Sequence, residues 1–203
     1  MTLALAAAAL IVGLGLGLLG AAAKMTKAAW LRRPVAFLLD LLRGIPEFLV
    51  LLIVYFGAAR LLGDDLALGP FAAGVLALGM IFGAYASETF RGAFLSVPVG
   101  QSDAARAVGM TRSQIFFRIV LPQAWRVALP GISNHWQGLI KDTSLVSVLG
   151  LEEILRKANI AAQYTKDPFT FYLAAMALYL LFIALSNPAF AWLERRAGRG
   201  VRA

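Results

Sequence analysis

Two charged residues, Lys141 and Asp142, stand side by side inside the otherwise apolar stretch of residues 129–151. Thr143 and Ser144 follow directly, so four consecutive residues offer an ammonium, a carboxylate and two hydroxyls. A charge at the centre of a bilayer costs roughly 2.5 to 3.5 kcal/mol on insertion scales, so such side chains usually face protein or water. These residues are predicted to line or shape a translocation path. A structural ion pair or a helix break remains the alternative.

Glu88 is a second candidate for a polar path. It lies three residues before Arg91, so the two side chains share a helix face and can form an ion pair. Its carboxylate could instead meet a cationic substrate. Arg43 and Glu47 pose the same question, whereas Asp40 is expected to be a solvated loop charge.

Covalent and metal chemistry find little support in the sequence. Ser133 and His135 are two residues apart and would point to different faces of a helix, so they do not form a catalytic dyad. We interpret His135 as a polar packing residue, while Asn134 could reach a pore. The chain contains no cysteine and one histidine, which disfavours thiolate and histidine metal sites. No phosphate-binding Gly-Lys-Ser/Thr loop is present, so any hydrolysis of ATP, with its magnesium, would have to take place on another chain.

The composition indicates a membrane protein. Of the 203 residues, 60% are hydrophobic and 15% charged, and the mean hydropathy is +0.76. A soluble domain has about half apolar and a quarter charged residues. Spans of roughly 20 residues cross a bilayer as helices. We therefore predict an all-α, single-domain protein covering residues 1–203, with five transmembrane helices in these segments: 2–23, 43–62, 66–87, 129–151 and 168–193.

The basic residues predict the orientation. The net charge is +8, and most of the 19 lysines and arginines lie in the loops on one side of the predicted spans. Because cytoplasmic loops carry an excess of lysine and arginine, the N-terminus is predicted outside and the C-terminus inside. Only four basic residues lie on the predicted outer side: Arg60, Arg156, Lys157 and Lys166.

Glycine spacing predicts close helix packing. Gly13, Gly17 and Gly20 share one face of the first span, and Gly79 and Gly83 share a face of the third. Small residues at such spacing allow membrane helices to approach closely.

The polar loop at about residues 92–122 lies on the predicted inner side. Ser102 precedes a helix start, Gly109 can supply a left-handed stop, and Thr111 can cap a second short helix before Pro122 begins the next span. Two short helices would form a compact cytoplasmic knob. An ordinary interfacial amphipathic segment fits the spacing equally well.

The residues of this loop resemble the coupling loop of ATP-binding-cassette (ABC) importer permeases. The matching positions are Asp103, Ala104, Ala105, Gly109, Leu121 and Pro122. Asp103 stands where the family usually has glutamate. The resemblance implies that the loop docks on a separate ATPase.

Further motifs resemble the polar amino acid branch of that family. Arg43-Gly44-Ile45-Pro46 is similar to its entry to the second helix, and Lys141-Asp142-Thr143-Ser144-Leu145 continues the pattern. Taken together, these motifs look closest to those of the Q-type subunit of histidine and lysine/arginine/ornithine transporters, with opine permeases as close relatives.

The resemblance implies a multi-pass subunit of the bacterial inner membrane that imports polar, in particular basic, amino acids or opines by alternating access. It implies no cofactor on this chain and no enzymatic activity. Its expected partners are two copies of an ATPase, a second permease subunit of the same or a sister sequence, and a periplasmic or extracellular substrate-binding protein. An ion-gradient-driven secondary transporter or channel subunit is the alternative.

Overall fold

The fold, described by a computed structural model for residues 1–62 and 68–198, is helical throughout the elements assigned in those ranges. The helices are α1 (Thr2–Met25), α2 (Ala29–Gly44), α3 (Glu47–Leu62), α4 (Pro70–Leu95), α5 (Val99–Ala107), α6 (Arg112–Ile115), α7 (Leu121–Asp142), α8 (Ile154–Thr165) and α9 (Pro168–Ala197). A π-helix (Phe116–Val120) joins α6 to α7, and a 3₁₀-helix (Thr143–Leu149) follows α7. The prediction of an all-α polytopic protein agrees with this architecture.

Helices α1 and α4 run parallel and form the centre of the bundle through their glycines. A Cβ atom on Gly17 would lie 2.8 Å from the Cβ of Ala86, and one on Gly83 would lie 2.8 Å from the Cβ of Leu16. The backbones therefore touch where only hydrogen occupies the glycine side-chain position. The predicted glycine packing face is confirmed.

Four of the five predicted spans are present among the described residues as single helical stretches of spanning length. Within the described residues, four helical stretches are long and apolar enough to cross a membrane: Thr2–Met25, Pro70–Leu95, Arg112–Leu149 and Pro168–Ala197. The predicted span at residues 43–62 is absent from this set because the helix breaks at Ile45 and Pro46. Ile45 is extended, with φ −93° and ψ 140°, as expected for a residue that precedes proline.

The polar loop also differs from its predicted boundaries. Helix α5 begins at Val99 after Pro98, not after Ser102. Gly109 has φ +82°, which confirms the left-handed stop. Thr111 caps α6 in a reciprocal capping box with Gln114, but α6 is not a separate short helix. It continues through the π-helix into α7, and Pro122 is accommodated in the first turn of α7.

Helix α7 packs antiparallel to α4, and α9 packs against α7. His135 on α7 lies beside Phe82 on α4, and Gln137 on α7 donates a hydrogen bond of 3.3 Å to Asn187 on α9. The C-terminal ends of α1, α4 and α9 consequently lie at the same end of the bundle as α5.

We expect Gly17→Ala to destabilise the bundle and Gly15→Ala not to. Alanine improves helix propensity by about 1 kcal/mol at either position. At Gly17 the new methyl meets the Cβ of Ala86, whereas nothing lies within 4 Å at Gly15. Overpacking of this kind costs about 1 to 3 kcal/mol. Thermal unfolding of the two purified variants in the same mild detergent measures the difference. Equal unfolding temperatures would show that the glycine contact contributes nothing.

Candidate functional site

A cavity of about 210 Å³ lies between α3, α4 and α7. Its apolar wall includes Leu78, Phe82 and Leu139, and its carboxylates are Glu47 and Asp142. These two carboxyl groups are close enough to influence each other, one from α3 and one from α7. The described lining contains no lysine or arginine. An apolar wall with two convergent carboxylates suits a ligand that has an aliphatic stem and a positive charge.

An aromatic and basic layer borders the cavity on the side toward the end of α1. The Tyr85 ring lies 5.7 Å from the His135 ring, and the Arg43 guanidinium lies 5.5 Å from the centre of the Tyr85 ring. His135 Nε2 is 2.9 Å from the Thr89 hydroxyl. The interpretation of His135 as a polar packing residue is consistent with these contacts, although its ring also lines the cavity with Asn134.

Arg43 and Glu47 do not form the ion pair that their spacing allowed. Arg43 Nη1 lies 3.6 Å from Asp40 Oδ1, while Glu47 faces Asp142. The break at Pro46 separates Arg43 and Glu47 into different helices, so the four-residue spacing no longer places them on one face. The motif residues Arg43, Gly44 and Pro46 thus form the bend that brings Glu47 into the cavity wall.

Lys141 and Asp142 are directed into different cavities. Asp142 lines the cavity with Glu47, whereas Lys141 lines a groove between α7 and α9 with Ser144. Successive residues on a helix are about 100° apart, which accounts for the separation. Thr143 is fully buried and its hydroxyl donates to the Ile140 carbonyl oxygen at 2.6 Å. The four residues therefore do not line one path together.

Glu88 lies outside the cavity in a charged cluster near the end of α1. Lys24 donates to Glu88 Oε1 at 2.6 Å, and Arg91 donates to Glu88 Oε2 at 2.9 Å. The predicted Glu88–Arg91 pair is confirmed. Lys24 also donates to Asp40 at 3.1 Å. The Asp40 side chain is 61% exposed, so the expected solvation is confirmed and only the expected placement in a loop is wrong. Asp40 lies on α2, and the cluster ties α1, α2 and α4 together.

The polar loop presents a shallow groove between α5 and the start of the long helix. It is lined by these residues: Gly100, Gln101, Ala104, Ala105, Val108, Met110 and Ile119. Ala105 is packed inside the loop with 6% of its surface exposed, whereas Val108 is 78% exposed. Asp103 lies off the groove and pairs with Arg106 at 2.7 Å.

Comparison with known proteins places the chain in a family. Residues 13–199 match the family described as binding-protein-dependent transport system inner membrane component. The chain belongs to this family. It is therefore a transport subunit of the inner membrane rather than an enzyme, and the resemblance inferred from its motifs is confirmed.

Individual relatives of this permease family cover almost the whole chain. The arginine ABC transporter permease protein ArtQ of Escherichia coli (strain K12) is 42% identical over 98% of this chain and 92% of its own length. The octopine transport system permease protein OccQ of Rhizobium meliloti is 42% identical over 100% of this chain and 89% of its own. A solved structure of an amino acid ABC transporter with histidines aligns with a TM-score of 0.85 and 30% identity, covering 97% and 90% of the two chains.

One buried carboxylate of this permease was not singled out by its sequence pattern. Glu153 is 1% exposed and precedes α8, where its Oε1 accepts a hydrogen bond of 2.7 Å from the Arg156 backbone. Its Oε2 accepts one of 2.5 Å from the Tyr179 hydroxyl on α9. Local spacing could have identified the helix cap, but the partner on α9 is 26 residues away. The contact fixes α8 to α9 beside the end of α7.

Tyr179→Phe is expected to destabilise the permease by about 1 to 3 kcal/mol, because it leaves a buried carboxylate oxygen without its donor. Tyr172→Phe, at a half-exposed position on the same helix, removes the same atom and should have little effect. Thermal unfolding in detergent measures both. An unchanged unfolding temperature for Tyr179→Phe would refute the stabilising role of this contact.

Proposed function

We propose that this chain is the permease subunit of a binding-protein-dependent ABC importer for cationic amino acids, with opines as closely related substrates. The observation that carries the substrate class is the cavity in which Glu47 and Asp142 face each other, with no lysine or arginine in the described lining. A guanidinium or ammonium side chain would neutralise both carboxylates, and its aliphatic stem would contact the apolar wall. The arginine and octopine specificities named for the relatives support this chemistry.

We infer five crossings, of which the second is built from α2 and α3 together. Leu39 on α2 packs against Gly20 on α1, which places α2 alongside the spans rather than beyond them. On α3, Leu51 is fully buried and Glu47 reaches the cavity. Each of the two helices has 16 residues, about 24 Å at 1.5 Å per residue, which is short of the roughly 30 Å apolar core. The bend at Ile45-Pro46 divides one crossing into two helices.

In the proposed orientation, the N-terminus is outside and the C-terminus is in the cytoplasm. The end of the bundle that holds α5 also holds Lys24, Arg91 and the basic C-terminal turn of α9, in agreement with the excess of positive charge expected on the inner side. The cavity then lies within the membrane, and the α5 groove faces the cytoplasm.

The α5 groove is the proposed docking surface for the ATPase. Gly109 and the Thr111 cap fix the angle between α5 and the long helix, and Ala104 and Ala105 keep the groove shallow. Asp103 lies on the outer side of α5, while Leu121 and Pro122 lie where the π-helix passes into α7. Two ATPase copies, a second permease subunit and an external binding protein would complete the importer, with ATP and magnesium bound by the ATPase.

Continuity of the long helix suggests how the two sites are coupled. Residues from Arg112 to Leu149 form an unbroken helical stretch of 38 residues that starts at the groove and carries Asp142 into the cavity. A displacement of the groove on ATP binding would therefore move one wall of the cavity relative to α3 and α4. Exposing that cavity first outward and then inward constitutes alternating access. The relatives described above give no support to the ion-gradient alternative.

Val108→Asp is expected to uncouple transport from ATP hydrolysis. It places an uncompensated charge in the docking groove and should weaken ATPase association on the order of 100-fold. Arg106→Ala lowers the net charge equally but lies off the groove, so association should persist. Ala105 is unsuited to this test because it is packed within the loop itself. Co-purification with the ATPase and ATP-driven uptake in vesicles are the measurements. Normal uptake by Val108→Asp would exclude the groove as the docking surface.

Asp142→Asn is expected to weaken arginine binding by tenfold or more, since a hydrogen bond to a charged group contributes about 1.5 to 3 kcal/mol. Glu152→Gln removes a carboxylate at an exposed position and serves as the control. Isothermal titration of the detergent-solubilised importer, without binding protein, measures the affinity of this chain. Arginine affinity that is identical in the wild type and Asp142→Asn would argue against the cavity as the substrate site.

A further inference from the structure

A second polar cleft, of about 280 Å³, lies where α1 ends and α2 begins. Four basic residues and two acids line it: Lys24, Arg32, Arg33, Arg91, Asp40 and Glu88. It is separate from the substrate cavity, with which it shares no lining residue. Neither the translocation path nor the ATPase groove uses it.

The charges of this cleft are only partly balanced within the chain. Lys24, with 5% of its side chain exposed, and Arg91 bind the carboxylate oxygens of Glu88, and Lys24 also binds Asp40. Arg32 and Arg33 make no ion pair with any residue in the described part of the chain. Two guanidinium groups are thus left to bind an anion from outside the chain.

In the proposed orientation, the cleft lies at the level of the cytoplasmic headgroup layer of the bilayer. Lys24 lies in the last turn of the first span, and α2 starts a few residues later with exposed Trp30. Phe37 on α2 is also 70% exposed. Aromatic side chains are enriched at the membrane interface, where arginine heads reach the headgroups.

An apolar groove of about 460 Å³ adjoins the polar cleft along α2. Ala23 and Leu39 line the groove, and the next residues in the chain, Lys24 and Asp40, line the cleft. A ligand that combines a negative headgroup with apolar chains meets complementary surfaces at both. A soluble anion would use only the cleft.

We propose that the cleft binds the phosphate of an anionic phospholipid of the cytoplasmic leaflet, with Arg32 and Arg33 as its direct ligands. Basic pockets between membrane helices on the cytoplasmic side are suited to such headgroups. The inference rests on the orientation given under the proposed function. Because α2 leads through the bend at Pro46 to Glu47, a lipid held there steadies the helix that carries one wall of the substrate cavity.

The test is lipid binding by the purified full-length chain in an uncharged detergent. Native mass spectrometry measures the affinity for phosphatidylglycerol, with phosphatidylcholine as the neutral reference. The double substitution Arg32→Gln/Arg33→Gln should weaken phosphatidylglycerol binding about 30-fold, since each basic residue near an anionic lipid surface contributes about a factor of five. Arg32→Lys/Arg33→Lys should retain most of the affinity. Arg195→Gln/Arg196→Gln removes two charges at the same end of the bundle and should change it less than about threefold.

Three results would overturn the proposal. Unchanged phosphatidylglycerol binding by the Arg32/Arg33 glutamine variant would exclude these ligands. An equal loss in the Arg195/Arg196 variant would indicate only diffuse attraction by positive charge. Complete competition by millimolar inorganic phosphate would identify a soluble anion site instead. Phosphatidylcholine binding and the elution profile report whether each variant is folded. The lipid-binding assay requires neither ATP nor substrate, so a negative result in it is distinguishable from a failure of the proposed transport function.

Discussion

The close contact between α1 and α4 is the constraint on which the arrangement depends. Lipid chains are as apolar as leucine, so membrane helices gain little from hydrophobic burial and depend on tight packing instead. Gly17 and Gly83 bring the two backbones together, and this parallel pair forms the support for the other helices. One side of α4 then receives α7, while the C-terminal part of α1 receives α2. The cavity arises where α3, α4 and α7 meet.

Helix α6 continues through the π-helix into α7. The residue spacing had instead predicted a separate short helix before the next span. A π-helix accommodates an irregular turn without ending the helix. One wall of the proposed docking groove, at Ile119, consequently belongs to the same helical stretch as Asp142, so that motion of this wall can reach the cavity without a flexible joint. The pairing of Lys24 with Glu88 and Asp40 has a complementary effect, because it holds α1, α2 and α4 as one unit against which the long helix can move.

Local chemistry was readable from the sequence, and contacts between distant residues were not. The glycine face, the left-handed Gly109, the Thr111 cap and the Glu88–Arg91 pair all follow from spacings of a few residues. Lys24 escaped notice because its partner Glu88 is 64 residues away. The break at Pro46 was available from the rule for residues before proline, but an apolar average over residues 43–62 obscures it. The separation of Lys141 from Asp142 follows from helical geometry once the residues are known to be helical, whereas the pairing of Asp142 with Glu47 requires the fold.

The two carboxylates of the cavity are arranged differently from those of Glu88, Asp40 and Glu153. Glu88 and Asp40 each have basic partners, and buried Glu153 has two hydrogen-bond donors. Glu47 and Asp142 instead face each other beside apolar side chains, an arrangement in which like charges repel. A cationic substrate would remove that repulsion by lying between them, and its departure would restore it. Movement of α7 away from α3 would relieve the repulsion without a substrate, so the charge pair itself favours separation of the two walls once the cation has left. Under the proposed function, the interaction that would select the substrate would thus also contribute to the opening that releases it.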